Sequence, residues 1–199
     1  MHRLEDEYKL QVVFSKELIQ QKMLEQARIL AAMYGNHELL VLTVLNGGLP
    51  FATDLLVVLK ELGLQVESAQ IQTTTYGDGM DAHEVRLVGD APKVDGKTVL
   101  IVDDFSDTGE TLSFLMNLVR NEGAVDTKAL TVVARKEAYE KLGDSCMYLF
   151  QYNFKPWLVG YGLNLGKFGR DLPDISMVFQ KPWIVRMFNQ VRNVLSARS

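Results

Sequence analysis

Residues 99–115 read VLIVDDFSDTGETLSFL, and this stretch decides the fold. Four apolar residues (Val99 to Val102) run into Asp103 and Asp104, Asp107 follows three positions on, and Thr108 and Gly109 then lead into a helix-like run. A continuous apolar run suits a strand buried on both faces, as in a parallel sheet. With the turn VDGK before it, TVLIV (98–102) is the most strand-like segment of the chain, and a helix is expected over about 108–122, ending near Gly123.

Working outward, KELIQQKMLEQARILAAMY after Ser15 carries Leu18, Ile19, Met23, Ala27, Leu30 and Ala31 at helical spacing, predicting a helix over 15–34. ELLVLTVL (38–45) reads as a buried strand that empties into the turn NGG, and PFATDLLVVLKELG returns to helical periodicity and stops at Gly63. QVESAQIQTTTY (65–76) reads as a strand and GDGMDAHE after it as a polar loop. TKALTVVAR, SCMYLFQY, WLVGYGL and DISMVF are further short strands, RKEAYEK is a helical face, and the last 17 residues form an amphipathic helical pattern. Strands alternating with helices over 38–135 imply βαβ units and a mostly parallel sheet covered on both sides.

The bulk figures exclude several classes of function. A chain of 199 residues is one domain by the length prior, able to bury roughly 70% of its unfolded surface. A net charge of −4 is the wrong sign for non-specific nucleic-acid binding, which draws on surplus Lys and Arg. One cysteine, Cys146, allows no intrachain disulfide, and no Cys/His spacing suggests zinc, so a reducing cytoplasm is the simplest expectation. No stretch approaches the roughly 20 apolar residues of a membrane-spanning helix, and the charged opening MHRLEDEYKL reads as a mature start rather than a signal peptide.

In open parallel sheets, ligands sit beyond the carboxyl ends of the strands. Asp103 and Asp104 fall at that end of the strongest strand. Thr108, Gly109 and Thr111 offer hydroxyls and open backbone amides at a helix N-terminus, where orphan N–H groups and the helix dipole favour an anion. Three acids beside a phosphate cradle make sense if two of them accept hydrogen bonds from sugar hydroxyls while the phosphate on that sugar reaches the amides. Taken alone, DxxDTG describes a capped helix start with solvated aspartates equally well.

The whole stretch resembles the 5-phosphoribosyl-1-pyrophosphate (PRPP) motif of type I phosphoribosyltransferases. VLNGGLPFATDL (44–55) resembles the pyrophosphate-loop segment of hypoxanthine-guanine phosphoribosyltransferases, and WLVGYGLNLGKFGRDLPDI (157–175) resembles their purine-site segment with its downstream arginine. TTYGDG stands where that family carries a Ser-Tyr pair in a flexible lid, so the likeness covers roughly residues 10–180. It implies an α/β type I phosphoribosyltransferase fold in one domain over 1–199, with a small hood from the N-terminal segment and roughly 150–180. The activity implied is purine salvage, transferring phosphoribosyl from PRPP to hypoxanthine or guanine with Mg²⁺ as cofactor, in a homodimer or homotetramer. Two alternatives stand beside it: a xanthine/guanine-preferring enzyme of the same fold, and a PRPP-sensing regulator that binds nucleic acid, for which no basic run is present.

Residue by residue, the resemblance makes Asp107 the general base near the purine and assigns the ribose hydroxyls to Asp103 and Asp104, where the family more often has Glu then Asp. It puts the 5′-phosphate against Ser106, Thr108, Gly109, Glu110 and Thr111, with the Glu110 carboxylate turned outward. Asn46, Gly47 and Arg170 would serve pyrophosphate; the family often has lysine in place of Asn46, with a non-proline cis peptide before it. Trp157 would stack on the purine, the Leu158 backbone would read its edge, and Lys136, or Arg135 in a one-residue shift, would donate to the 6-oxo group. Thr75 and Tyr76 would begin a lid over 75–84. Asn164 stands where the family usually has a magnesium-binding aspartate, and an amide oxygen is the weaker ligand for this hard cation.

Overall fold

The computed structural model describes residues 8–35, 37–76 and 84–181. The chain divides into two compact units, one of residues 16–154 and one of 1–15 with 155–199.

The larger unit is built on a six-stranded sheet in the order β4-β3-β2-β5-β6-β7. Its strands are β2 (Leu39–Leu45), β3 (Val66–Tyr76), β4 (Glu84–Val88), β5 (Thr98–Ser106), β6 (Asp126–Ala134) and β7 (Cys146–Gln151). All neighbours are parallel except β4, which runs antiparallel on the edge against β3. Between the strands lie α2 (Leu49–Glu61), α3 (Glu110–Asn121) and the short α4 (Lys136–Leu142), and α1 (Lys16–Tyr34) precedes the sheet.

The first six residues of β2 are all buried, as they must be when helices cover both faces of a parallel sheet. Leu40, Leu42, Val44, Val99 and Ile101 point one way into a core closed by Leu112, Leu115, Met116 and Val119 of α3. These four sit at the i, i+3, i+4, i+7 positions of one helical stripe. Leu115 is fully buried, so Leu115→Ala would cost about 2–5 kcal/mol. The helix stops where the sequence says it should, because Gly123 takes φ +91° and the N–H groups of Gly123 and Ala124 close on Arg120 O and Val119 O. At the far end of α1 the Tyr34 hydroxyl donates to Asp126 Oδ2 at 2.7 Å, pinning the helix to the start of β6.

In the smaller unit, β1 (Tyr8–Phe14), β9 (Ile175–Gln180) and β8 (Trp157–Val159) form an antiparallel sheet in that order. The strand expected over WLVGYGL stops at Val159. Gly160, Tyr161 and Gly162 all have positive φ (108°, 49° and 102°), which no strand accommodates. A side chain at Gly160 would lie 1.8 Å from Asp174 O, so only glycine fits there.

Thr75 and Tyr76 are the last residues of β3, paired with Val85 and Glu84. The rest of the expected lid, 77–83, and the expected C-terminal helix lie outside the described residues.

Candidate active site

Strand β5 does not end at the first acid. It continues through Asp103 and Asp104 to Ser106, because β6 keeps pairing with it: Asp103 faces Thr131, Phe105 faces Val133 and Ser106 faces Ala134. The acids are therefore held on a rigid strand rather than on a turn. Asp103 is buried, and its Oδ1 accepts the Asp104 N–H at 2.9 Å. Burial first, then the charge of Asp104 and a hydrogen bond between the two side chains, hold the Asp103 carboxyl well above the usual carboxylate range. Burial and the Asp103 charge likewise push the Cys146 thiol up to about 11.

Residues 107–109 form the turn out of β5. Gly109 closes it at φ +78°, which is why the helix starts at Glu110 and not at Thr108. No side chain caps α3, and its first ladder bond runs from Ser113 N–H to Gly109 O, so the N–H groups of Glu110, Thr111 and Leu112 have no carbonyl of their own helix to meet. These residues and the turn line a cavity of about 120 Å³ that also takes in Asp103, Phe105 and Ser106. Ser106 Oγ is buried without a hydrogen-bond partner. The arrangement could cradle an anion, with acids at its base and rim.

Segment 135–142 supports that rim. Arg135 Nε lies 2.6 Å from Asp107 Oδ1, and its guanidinium sits 5.8 Å from the centre of the Phe105 ring. A Cβ on Gly109 would lie 3.3 Å from Ala138 Cα and from Leu142, so α4 packs directly on the turn. The Glu110 carboxylate pairs with the Lys141 ammonium. Each acid of the rim is thus matched by a cation. The Lys136 ammonium is 3.3 Å from Glu140 on the exposed side of α4, whereas Arg135 reaches the carboxylate turn.

A second loop abuts the acids. The peptide Leu45–Asn46 is cis, as the resemblance implied, and Asn46 is exposed. A Cβ on Gly47 would fall 2.2 Å from Asp104 Oδ2, and one on Gly48 would fall 2.8 Å from Val102 O and 2.9 Å from Val44 O. At Gly48 the obstacle is backbone, so only glycine fits there, whereas at Gly47 it is the Asp104 side chain.

In the smaller unit, Trp157 is 60% exposed although its Nε1 donates to Asn164 O at 2.9 Å, leaving an oriented ring with bare surface. Leu158 is buried in β8 opposite Met177. Arg170 donates from Nη1 to Gly162 O (2.8 Å) and from Nη2 to Asn164 Oδ1 (2.6 Å), while Asn164 Nδ2 donates to Gly166 O (2.6 Å). Sequence reasoning missed this use of Asn164 and the pairing of Lys141 with Glu110. The acid–base spacing across separate elements that creates the second of these leaves no local signal.

A family model for the phosphoribosyl transferase domain matches residues 16–164. The chain belongs to the phosphoribosyltransferase family. The hypoxanthine-guanine phosphoribosyltransferase of Bacillus subtilis is 30% identical over 169 residues, covering 84% of this chain and 92% of the relative. The bifunctional protein TilS/HprT of Listeria innocua is 33% identical over the same length, which is only 26% of that longer protein, so the chain spans about a quarter of this relative. Among solved structures, a hypoxanthine-guanine phosphoribosyltransferase from Bacillus anthracis shares 27% identity at a TM-score of 0.76, covering 87% of this chain and 99% of that one. Hypoxanthine phosphoribosyltransferase from Trypanosoma cruzi, complexed with IMP, matches at 0.77 with 23% identity over 90% of this chain and 95% of that one, a likeness of fold. Among the described residues, no helix is long and apolar enough to cross a membrane.

Proposed function

We propose that the protein transfers the phosphoribosyl group of PRPP to hypoxanthine or guanine, giving the nucleoside monophosphate and pyrophosphate. The observation that carries this reading is the uncapped start of α3 beside the buried Asp103 and the half-buried Asp104, donors for a phosphate and acceptors for a diol on one strand–turn–helix unit. The relatives at about 30% identity that bear the hypoxanthine-guanine name support the choice of base.

In this reading the 5′-phosphate takes the amides of 107–111 and the Thr108 and Thr111 hydroxyls, and the ribose hydroxyls take Asp103 and Asp104. The bond from the anomeric carbon to pyrophosphate breaks as the purine nitrogen bonds to that carbon, and the purine proton passes to Asp107. Negative charge grows on the departing pyrophosphate, to which the resemblance assigns Asn46 and Gly47 in the larger unit and Arg170 in the smaller. Trp157 supplies the stacking face, and Arg135 rather than Lys136 supplies the donor toward the 6-oxo group.

The donor set also fits magnesium as a companion of the substrate rather than a resident of the protein. No group of three acidic, histidine or cysteine side chains is placed to hold a metal ion among the described residues, but Asp103 and Asp104 are a crowded carboxyl pair that a divalent cation would relieve. When bound with PRPP, the ion would neutralise diphosphate charge.

Purified protein incubated with magnesium, PRPP and each of hypoxanthine, guanine, xanthine and adenine tests the proposal. Pyrophosphate release with the first two is expected; release with none, or with adenine alone, would refute it, and release with xanthine and guanine only would select the xanthine-type enzyme.

A further inference from the structure

Asn164 uses both ends of its carboxamide. Its Oδ1 accepts from Arg170 Nη2 at 2.6 Å and its Nδ2 donates to the Gly166 carbonyl at 2.6 Å. Arg170 is held a second time by the Gly162 carbonyl at 2.8 Å, and the Asn164 carbonyl holds the Trp157 indole at 2.9 Å. One residue therefore ties together the loop 162–166, the arginine and the exposed tryptophan.

We infer that Asn164 is a positioning residue for Arg170 and not a ligand of magnesium. The inference deepens the function proposed above and rests on its assignment of Arg170 to pyrophosphate. Two features of the geometry in this chain favour an amide here. A carboxylate has no proton to donate, so an aspartate would set an anionic oxygen against the Gly166 carbonyl. It would also cancel the guanidinium charge that the neutral amide leaves intact, and that charge is what an arriving pyrophosphate would use. The amide oxygen already accepts from Arg170, so coordinating a cation would require it to give up that hydrogen bond.

The two roles predict opposite signs for one isosteric change. Asn164→Asp creates a better ligand for a hard cation, so a metal role would tighten pyrophosphate binding at limiting magnesium and lower the magnesium concentration giving half-maximal binding. A positioning role loosens binding instead. The test is calorimetric titration of magnesium pyrophosphate into wild type, Asn164→Ala and Asn164→Asp, each first shown by thermal denaturation to be folded. Alanine removes the two hydrogen bonds without adding charge, so dissociation constants are expected to rise in the order wild type, Ala, Asp, with Asp weakened about tenfold or more and the magnesium half-saturation unmoved. Equal constants for the three proteins, tighter binding by Asn164→Asp, or no pyrophosphate binding by the wild type would overturn the inference. The expected order in a protein that turns over no purine would leave it standing and remove only the transferase reading.

Discussion

Arg135 Nε sits 2.6 Å from Asp107 Oδ1, although its N–H is not directed along the contact, so the pair is held by charge rather than by an aligned hydrogen bond. Asp107 is 61% exposed at the rim of the cavity before α3, with its open side facing away from Arg135. Arg135 fixes where the carboxylate stands, and Phe105 beneath the guanidinium fixes Arg135.

Asp107→Asn keeps the shape and removes the basic oxygen. Turnover with PRPP and hypoxanthine is expected to fall roughly 10- to 10,000-fold, with PRPP affinity changed only slightly. Steady-state kinetics with PRPP binding measured separately check this, and an unchanged kcat would take Asp107 out of the general-base role.

Asp103 gives a prediction in pH. Its carboxyl is raised by burial and by Asp104, so the folded protein binds a proton there more tightly than the unfolded chain, in which aspartate titrates near about 3.9. Stability is then lost as pH rises from the unfolded value toward the raised folded one, and the whole cost is present above it. Asp103→Asn, which cannot ionise, should melt a few degrees higher than wild type at pH 8, about 2–4 °C per kcal/mol for a chain of this size. The difference should shrink as pH falls toward 4. A pH series of melting curves for the two proteins decides it, and a variant that melts lower at pH 8 would contradict the assignment of cause.

The loop glycines make a steric prediction. Gly48→Ala drives a methyl into the backbone carbonyls of Val102 and Val44, which cannot swing aside, and overpacking of this kind costs about 1–3 kcal/mol. Gly47→Ala meets the Asp104 side chain instead, which can turn away, so its stability cost should be smaller while PRPP binding suffers more. Melting temperature and PRPP affinity measured on both variants should therefore rank them in opposite orders.

How the sequence carried the fold is clearest at residues 98–123. Burial on both faces writes a continuous apolar run into β2 and β5, the helical stripe writes Leu112, Leu115, Met116 and Val119 into α3, and Gly123 marks its end. What escaped was set by partners distant in sequence. Asp103 to Ser106 are strand only because β6 pairs with them. β1 has no fully buried residue and exists through β9, and β4 is a five-residue edge strand after a polar loop. At the site, residue types named the chemistry, but that Arg135 and not Lys136 meets Asp107 depended on where α4 begins. Arg135 is its extended N-cap residue and Lys136 its first helical one, so neighbours in sequence point apart.

The pairing of Glu110 with Lys141 predicts a charge effect without a large stability effect. Both side chains are well exposed, and such pairs contribute about 0–1 kcal/mol. Lys141→Ala should leave melting nearly unchanged yet weaken PRPP binding, because an unmatched carboxylate then stands at the phosphate cradle. The loss should diminish in Glu110→Gln/Lys141→Ala and at high salt; an effect that persists in the double variant would show that Lys141 acts in some other way.

The most direct measurement is a crystal structure with a purine nucleoside monophosphate bound. The phosphate is expected on the backbone N–H groups of 107–111, with both ribose hydroxyls on the carboxylates of Asp103 and Asp104. A nucleotide bound elsewhere, with the start of α3 bare and those two side chains making no contact to it, would contradict the account.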